Sequence, residues 1–415
     1  MHHDVVIVGG GLVGCLTALE LADHGIDCAI VERHRLLAGA SALNAGGIYL
    51  QIQHQAGSLG PLQQAQMAHL IPLIKATKPA WLRLGERLSP LLKKAARQAT
   101  CGPRYSGGLV VATNKQEVED LQRKFQLEHE WGLSVTYLEG VELRALDRSI
   151  APSIVAACFC QDEGFWDPGS LASLVEAQVR AAGVKVYEDH AIVGVTRHSR
   201  HFAVTTTKSA VQGARMVCAL GAYTAPFLDM LAVPCSLRAL PIQVSVSAPT
   251  ELKIPYFTRY AGDRVSVKQM ADTRIFIGGG WEADWAPSLN SGARANQESA
   301  AHNRRVAERI YPEIRALDLR EHRAGLAAWS MDGLPVLGHA YAAPSSGPEL
   351  VVACGGNGFS LAPVYAEVLS RLIRGEEVAL PLAPFSVRRF AAARETSAGT
   401  FVPSQQSTEA YLPPD

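Results

Sequence analysis

The chain opens on four consecutive apolar, β-branched positions, Val5 to Val8, a pattern that predicts a strand buried on both faces. The run breaks at Gly9, Gly11 and Gly14, and Cys15 to His24 then reads as a helix. A turn at Gly25 leads to a second apolar strand, Cys28 to Val31, which ends in Glu32. Further along, Leu109–Thr113 and Ser134–Leu138 read as strands around a helix over 115–131. Gly60 to Arg97 reads as helices broken by Pro61, Pro72, Pro79 and Pro90. Ser170 to Ala182 predicts a helix, Val184 to Tyr187 a strand, 190–197 with 202–207 a hairpin, and Met216 to Leu220 an apolar strand.

The pattern changes between 226 and 319. Val244–Ser247, Tyr256–Tyr260, Arg264–Gln269 and Thr273–Ile277 alternate with short polar connections, as in an antiparallel sheet closed by Gly278 to Gly280. Gly292 to Tyr311 reads as a polar helix. The glycine-rich style then returns: a strand over 349–353 meets Gly355 to Ser360, and a helix follows to Arg374. The fold class is α/β, doubly wound, with an α+β unit on an antiparallel sheet inserted into it.

At 415 residues the chain exceeds one simple core. Lys plus Arg number 39 and Asp plus Glu 39, so no net charge points to nucleic acid or an anionic membrane. The apolar start reads neither as a signal peptide nor as a membrane span, because glycines interrupt it and Glu20 and Asp23 follow. Eight cysteines without a CxxC pair read as reduced, buried thiols of a cytoplasmic protein, and no metal site is expected.

The chemistry begins at the glycines. In G-x-G-x-x-G, Gly9 permits the tight turn, Gly11 admits a pyrophosphate and Gly14 lets helix pack on strand. The helix N-terminus offers free N–H groups and a partial positive charge to the phosphates, and Glu32 can accept from an adenosine ribose. Gly39 to Ile48 is rich in small residues between apolar flanks, so it predicts a buried loop against something flat. The turn at 355–360 offers a second helix N-terminus to a ligand.

These motifs resemble one family over most of the chain. Val8-Gly9-Gly10-Gly11 through Glu32, Gly39-Ala40-Ser41 with Asn44-Ala45-Gly46, Ala219 to Ala222, Asp332 to Gly338, and Gly356 to Phe359 with Leu361-Ala362-Pro363 are similar to FAD-dependent oxidoreductases of the D-amino-acid oxidase superfamily. Within it, Ala45 to Gln51 and Val267-Lys268-Gln269 with Ile277 to Trp281 look most similar to opine oxidase β subunits.

The resemblance implies a discontinuous FAD-binding domain (1–85, 147–225, 320–390), a substrate-binding domain (86–146, 226–319) and a tail (391–415). FAD would lie against Gly9, Gly11, Gly14, Glu32 and Arg33. Its flavin half would lie along Ser41, Asn44, Ala45, Gly46 and Gly47. Ile192 would meet the adenine, and Gly221, Gly356, Asn357, Gly358, Phe359, Ser360 and Leu361 complete the cofactor set. Tyr49, Gln51, Tyr256, Tyr260, Lys268, Arg323 and Trp329 are the candidate substrate residues, and no protein nucleophile is required. The family arginine that grips a substrate carboxylate is replaced by Ala327, so Arg323 or another cation would take its place. The resemblance implies oxidation of an amine or amino acid to an imine. The electrons pass either to a partner subunit or acceptor, or to oxygen in a free-standing oxidase. A flavin-holding subunit without its own catalysis is the third reading.

Overall fold

The computed structural model describes residues 2–52, 60–95, 102–341 and 347–392. The readings placed on Arg97, Cys101 and the tail from 393 onward lie outside these residues.

β1 (His2–Val8) runs into α1 (Leu12–Asp23), and β2 (Cys28–Val31) is buried at all four positions. Short α2 (Ala40–Leu43) and β3 (Gly47–Ile48) follow, then α3 (Pro61–Ala68) and α4 (Ile71–Ala95). The expected breaks at Pro79 and Pro90 do not occur, and α4 continues through both. An interior proline costs about 3 kcal/mol. Burial of Leu73, Trp81, Leu84 and Leu88 along this helix outweighs it, at about 1.5–3 kcal/mol for each large side chain.

Next come β4 (Gly108–Ala112), α5 (Lys115–Glu130), β5 (Thr136–Glu139), α6 (Gly140–Leu146), β6 (Ala156–Cys160) and β7 (Gly164–Phe165). Asn114 caps α5 by accepting from the Glu117 N–H, and Asp167 caps α7 (Pro168–Ala181) by accepting from Ser170. β8 (Lys185–Tyr187), β9 (Ile192–Arg197), β10 (Phe202–Thr206) and β11 (Ala210–Cys218) lead to a 3-10 turn (Gly221–Tyr223) and α8 (Thr224–Asp229). The middle of the chain supplies β12 (Leu237–Ser247), β13 (Phe257–Tyr260), β14 (Ser266–Gln269), β15 (Ile275–Glu282), β16 (Asp284–Trp285) and β17 (Ala293–Arg294). α9 (Gln297–Glu308), β18 (Leu319–Ser330), β19 (Val336–His339), β20 (Leu350–Cys354), α10 (Ala362–Ile373) and α11 (Arg389–Ala392) complete the described chain.

Two sheets organise these elements. The first runs β19-β20-β11-β1-β2-β8, with the β9–β10 hairpin on β11. From β20 to β8 its neighbours are parallel, and α1, α4, α7 and α10 bury one face. The second runs β18-β12-β15-β14-β13-β4-β6-β5 and is antiparallel except where β13 meets β4.

Several elements differ from the sequence reading. β15 passes through Gly278–Gly280 to Glu282, because β12 and β14 pair with it on both sides. α9 starts at Gln297, where Asn296 caps it, not at Gly292. β6 (Ala156–Cys160) and β18 (Leu319–Ser330) both hydrogen-bond into the second sheet.

The second sheet has two unlike faces. Leu109, Val111, Tyr260, Val267, Ile275 and Ile277 pack against α9 and the Pro312–Ala316 turn. Val244, Val246, Phe257 and Phe276 turn the other way, towards Ala45 and Tyr49.

Candidate active site

β1, β11 and β20 are adjacent and parallel, so their C-terminal ends reach one edge of the first sheet. There the chain leaves through Gly9, Ala219 and Gly355. A crevice outside the carboxyl ends of parallel strands is where such sheets bind ligands.

The glycines at this edge are required by space. A Cβ on Gly14 would lie 2.0 Å from the Gly9 carbonyl oxygen, and one on Gly9 2.5 Å from that of Ala219. α1 begins at Gly11 without a side-chain cap at that position. The Leu12 N–H donates to Ser41 Oγ at 2.8 Å, and the rest of the first turn has no intrahelical acceptor. Glu32 accepts from the Gly10 N–H at 2.8 Å and the His34 N–H at 2.9 Å. Each carboxylate oxygen keeps a further lone pair for a ribose hydroxyl. His190 donates its N–H to the Glu32 carbonyl at 2.8 Å, which sets Ile192 close to the end of β2. The Arg33 guanidinium lies 3.9 Å from the Tyr223 ring centre and donates to the Asn290 carbonyl, beside the Gly221 turn.

The glycine loop closes on itself and on the second turn. Asn44 Nδ2 donates to the carbonyls of Ala40 and Ser41, and Asn44 Oδ1 accepts from Gly46 at 2.6 Å. A Cβ on Gly46 would sit 2.1 Å from the Trp166 carbonyl oxygen. Beyond it, the Tyr49 N–H donates to Ser360 Oγ at 2.9 Å, and Trp81 Nε1 donates to the Ser360 carbonyl at 2.7 Å. Phe359 packs on the Trp81 ring. Gly355 and Gly356 take φ of +81° and +60° to make this turn, and Asn357 and Gly358 carry the chain on to Leu361. α10 then starts at Leu361 with no side-chain cap. Cys354 Sγ lies 2.9 Å from the Gly221 carbonyl oxygen. Residues 9–49, Gly221 and the 355–361 turn therefore meet at one crevice, beside the N-termini of α1 and α10, where neither Gly11 nor Leu361 supplies a side-chain cap. That arrangement fits a dinucleotide with two electron-rich groups.

The candidate substrate residues divide between the two faces of the second sheet. The Tyr49 ring packs edge-on to Phe257, with the Arg259 guanidinium 5.2 Å from its centre; burial raises the Tyr49 pKa. Lys268 lies on the same face, fully buried, with Nζ 4.4 Å from the Phe257 ring centre and without a hydrogen-bond partner. Burial, and then the Arg259 charge, lower its pKa to about 7. Arg323 shares this face but gives Nε and Nη2 to Glu321, both at 2.8 Å. Trp329 is half-buried, opposite Arg238. Tyr260 faces α9, where its hydroxyl donates to Glu117 and accepts from Arg309, each at 2.7 Å. Tyr256 meets Phe159 on that same far face. The structure thus brings Tyr49, Lys268, Arg323 and Trp329 to the face towards the glycine loop and turns Tyr256 and Tyr260 away.

Gln51 joins a buried charge network that sequence reasoning missed. Glu163 is fully buried and accepts from the N–H groups of Leu50 and Gln51 at 2.8 and 2.9 Å, from Gln51 Nε2, and from Arg259. Glu128, equally buried, accepts from the Ile52 N–H at 2.8 Å and from Lys124 Nζ at 2.6 Å. Lys124 also donates to Gln51 Oε1. Among the described residues no group of three or more His, Cys, Asp or Glu could hold a metal. The described cysteines are free, and burial raises the pKa of each, Cys15, Cys28, Cys158, Cys160, Cys218, Cys235 and Cys354, so their thiols stay protonated. No described helix is long and apolar enough to cross a membrane. His190 is held by its backbone and His54 lies outside the described residues.

The chain is similar to known proteins over nearly its whole length. It is 27% identical to glycine oxidase of Geobacillus kaustophilus, over 94% of this chain and 97% of that one. It is 23% identical to an opine oxidase subunit of Agrobacterium tumefaciens, over 93% of this chain and 97% of that one. The crystal structure of Geobacillus kaustophilus glycine oxidase superposes with a TM-score of 0.79 at 23% identity, covering 94% and 99% of the two chains. L-proline dehydrogenase from P. horikoshii gives 0.76 at 19% identity, covering 94% and 98%. The family model described as FAD dependent oxidoreductase matches residues 4–372. With that match and this crevice, the chain belongs to the DAO family of FAD-dependent oxidoreductases.

Proposed function

We propose that this enzyme oxidises a C–N bond of a small amine or amino acid, secondary amines favoured, to an imine that then hydrolyses. FAD, when bound, accepts the hydride at N5. The observation that carries the reading is the meeting of both glycine turns at one crevice, faced by Ala45, Tyr49 and the second sheet. Gly9, Gly11 and Gly14 hold the pyrophosphate, Glu32, Arg33 and Ile192 the adenosine. Ser41, Asn44, Ala45, Gly46, Gly47 and Gly221 line the flavin half. The 356–361 turn would set the α10 N-terminus against the electron-rich end of the ring, where its partial positive charge would favour the reduced form. Tyr49 and Trp329 flank the substrate, and Lys268 lies behind Phe257.

Relatives called opine oxidase, glycine oxidase and iminodiacetate oxidase support this substrate class. The opine oxidase relative is one subunit of its enzyme, which supports electron transfer to a partner. Near full-length likeness to glycine oxidase favours the second reading, a free-standing oxidase that makes peroxide. Anaerobic titration of the FAD-loaded protein with amines, amino acids and opines, read by flavin absorbance, tests the proposal. Bleaching supports it, and peroxide under air selects the oxidase. Bleaching by no member of the panel leaves a flavin-holding subunit and overturns the reading.

A further inference from the structure

Three neighbouring strands of the first sheet stand in the order β11-β1-β2. Cys218, Val8 and Val31 pair level with one another across them. The ends of β11 and β2 therefore lie about 10 Å apart, two strand spacings, with the Gly9 to Gly11 turn between them. Arg33 comes two residues after Val31, and Tyr223 five residues after Cys218. Their side chains nevertheless meet, with the guanidinium carbon 3.9 Å from the Tyr223 ring centre. A contact between residues that leave β2 and β11 has to cross the end of β1. The pair thus bridges the crevice at the glycine turn.

The bridge is held from a third side. Arg33 Nη2 donates to the Asn290 carbonyl at 3.1 Å, in the segment that joins β16 to β17. A Cβ on Gly292 in that segment would lie 2.9 Å from the Tyr223 hydroxyl and 2.6 Å from Leu326 Cδ1, so the segment backs the ring closely. The ring also borders a cavity of about 340 Å³ whose walls include Pro226, Leu237, Trp285 and Leu326. Those walls are largely apolar and Trp285 is 46% exposed, which gives the ring room to turn outward. Arg33 keeps its charge for the crevice. Its neighbour Glu32 serves the Gly10 and His34 N–H groups, and Arg33 forms no ion pair with the described residues.

We propose that Tyr223 is a positioning residue for FAD that acts through Arg33: the stacked pair is a clasp over the pyrophosphate, and FAD leaves only when it opens. The inference rests on the placement of FAD in this crevice and is independent of the substrate. A clasp hinders entry and exit alike. Removing it speeds both and leaves Kd nearly unchanged, whereas losing a simple contact speeds exit alone and raises Kd by the same factor.

The test dilutes FAD-loaded protein and follows flavin fluorescence. The time course gives the release rate, and the end points of a dilution series give Kd. Y223L is expected to release FAD about fivefold to thirtyfold faster, the worth of a partly desolvated cation–π pair, with Kd changed by less than about twofold. Y223F keeps the ring and should match wild type. R33M should speed release and also raise Kd, because it removes a cation facing the diphosphate. Adding Y223L to R33M should speed release no further, since the two residues form one clasp. Three results each overturn the clasp and leave the placement of FAD standing: a Y223L release rate within about twofold of wild type, a Kd that rises in step with that rate, or a Y223F variant as fast as Y223L. Wild type that retains no FAD removes both.

Discussion

The Tyr49 N–H donates to Ser360 Oγ at 2.9 Å, joining residues 311 positions apart in the sequence. Ser360 is 1% exposed and its carbonyl also accepts from Trp81, so it is a buried junction of three segments. S360A leaves the Tyr49 N–H without its acceptor, at a cost of about 1–3 kcal/mol. Holoprotein Tm should fall by several degrees and FAD should bind more weakly. An unchanged Tm and FAD Kd would refute the junction.

G14A tests the crevice from the other end. Its Cβ would fall 2.0 Å from the Gly9 carbonyl oxygen, a backbone atom that cannot yield without moving the turn. Purified G14A should contain little or no FAD by absorbance at equal protein concentration. G25A is the control, since the space there is open and only its φ of +69° opposes a side chain.

Lys268 makes stability depend on pH in a defined direction. Its folded pKa, about 7, lies below the usual value of 10.5, so the unfolded chain binds the proton more tightly. Stability therefore rises with pH between about 7 and 10.5, and the full penalty is present below 7. K268M removes that dependence. The difference between wild type and K268M in urea unfolding should shift by a few kcal/mol in favour of wild type as pH rises from 7 to 10. A difference that stays flat across that range would sink this account.

Glu163 and Arg259 form a buried pair whose carboxylate also serves two backbone N–H groups. E163Q leaves Arg259 charged and unpaired and should cost about 3–5 kcal/mol. R259Q should cost less, because Gln51 and the two N–H groups still satisfy Glu163. Chemical unfolding of both variants checks the order, and a reversed order would place the main role on Arg259.

The features legible in the sequence are those fixed by local chemistry. Asp167 with Pro168 shows where α7 begins, and the glycines at 9, 11 and 14 mark the first turn. β18 is hard to see in the sequence because Gly325, Ala327 and Ala328 have weak strand propensity and only the long partner β12 orders them. Tyr256 and Tyr260 look equivalent to Tyr49 in the sequence, yet strand parity sends them to the other face, and parity shows only once the register with β4 is known. Lys124 and Glu128, four residues apart on a charged helix, have the pattern of an exposed ion pair. Their burial comes from the extended chain at 50–52, distant in sequence.

That extended chain has a consequence for biosynthesis. The N–H groups of Tyr49, Leu50, Gln51 and Ile52 go to Ser360, Glu163, Glu163 and Glu128. A ribosome-bound fragment lacking these acceptors has nothing local to substitute for them. The Tyr49 N–H, 311 positions ahead of its partner, reaches its acceptor only once Ser360 has left the exit tunnel.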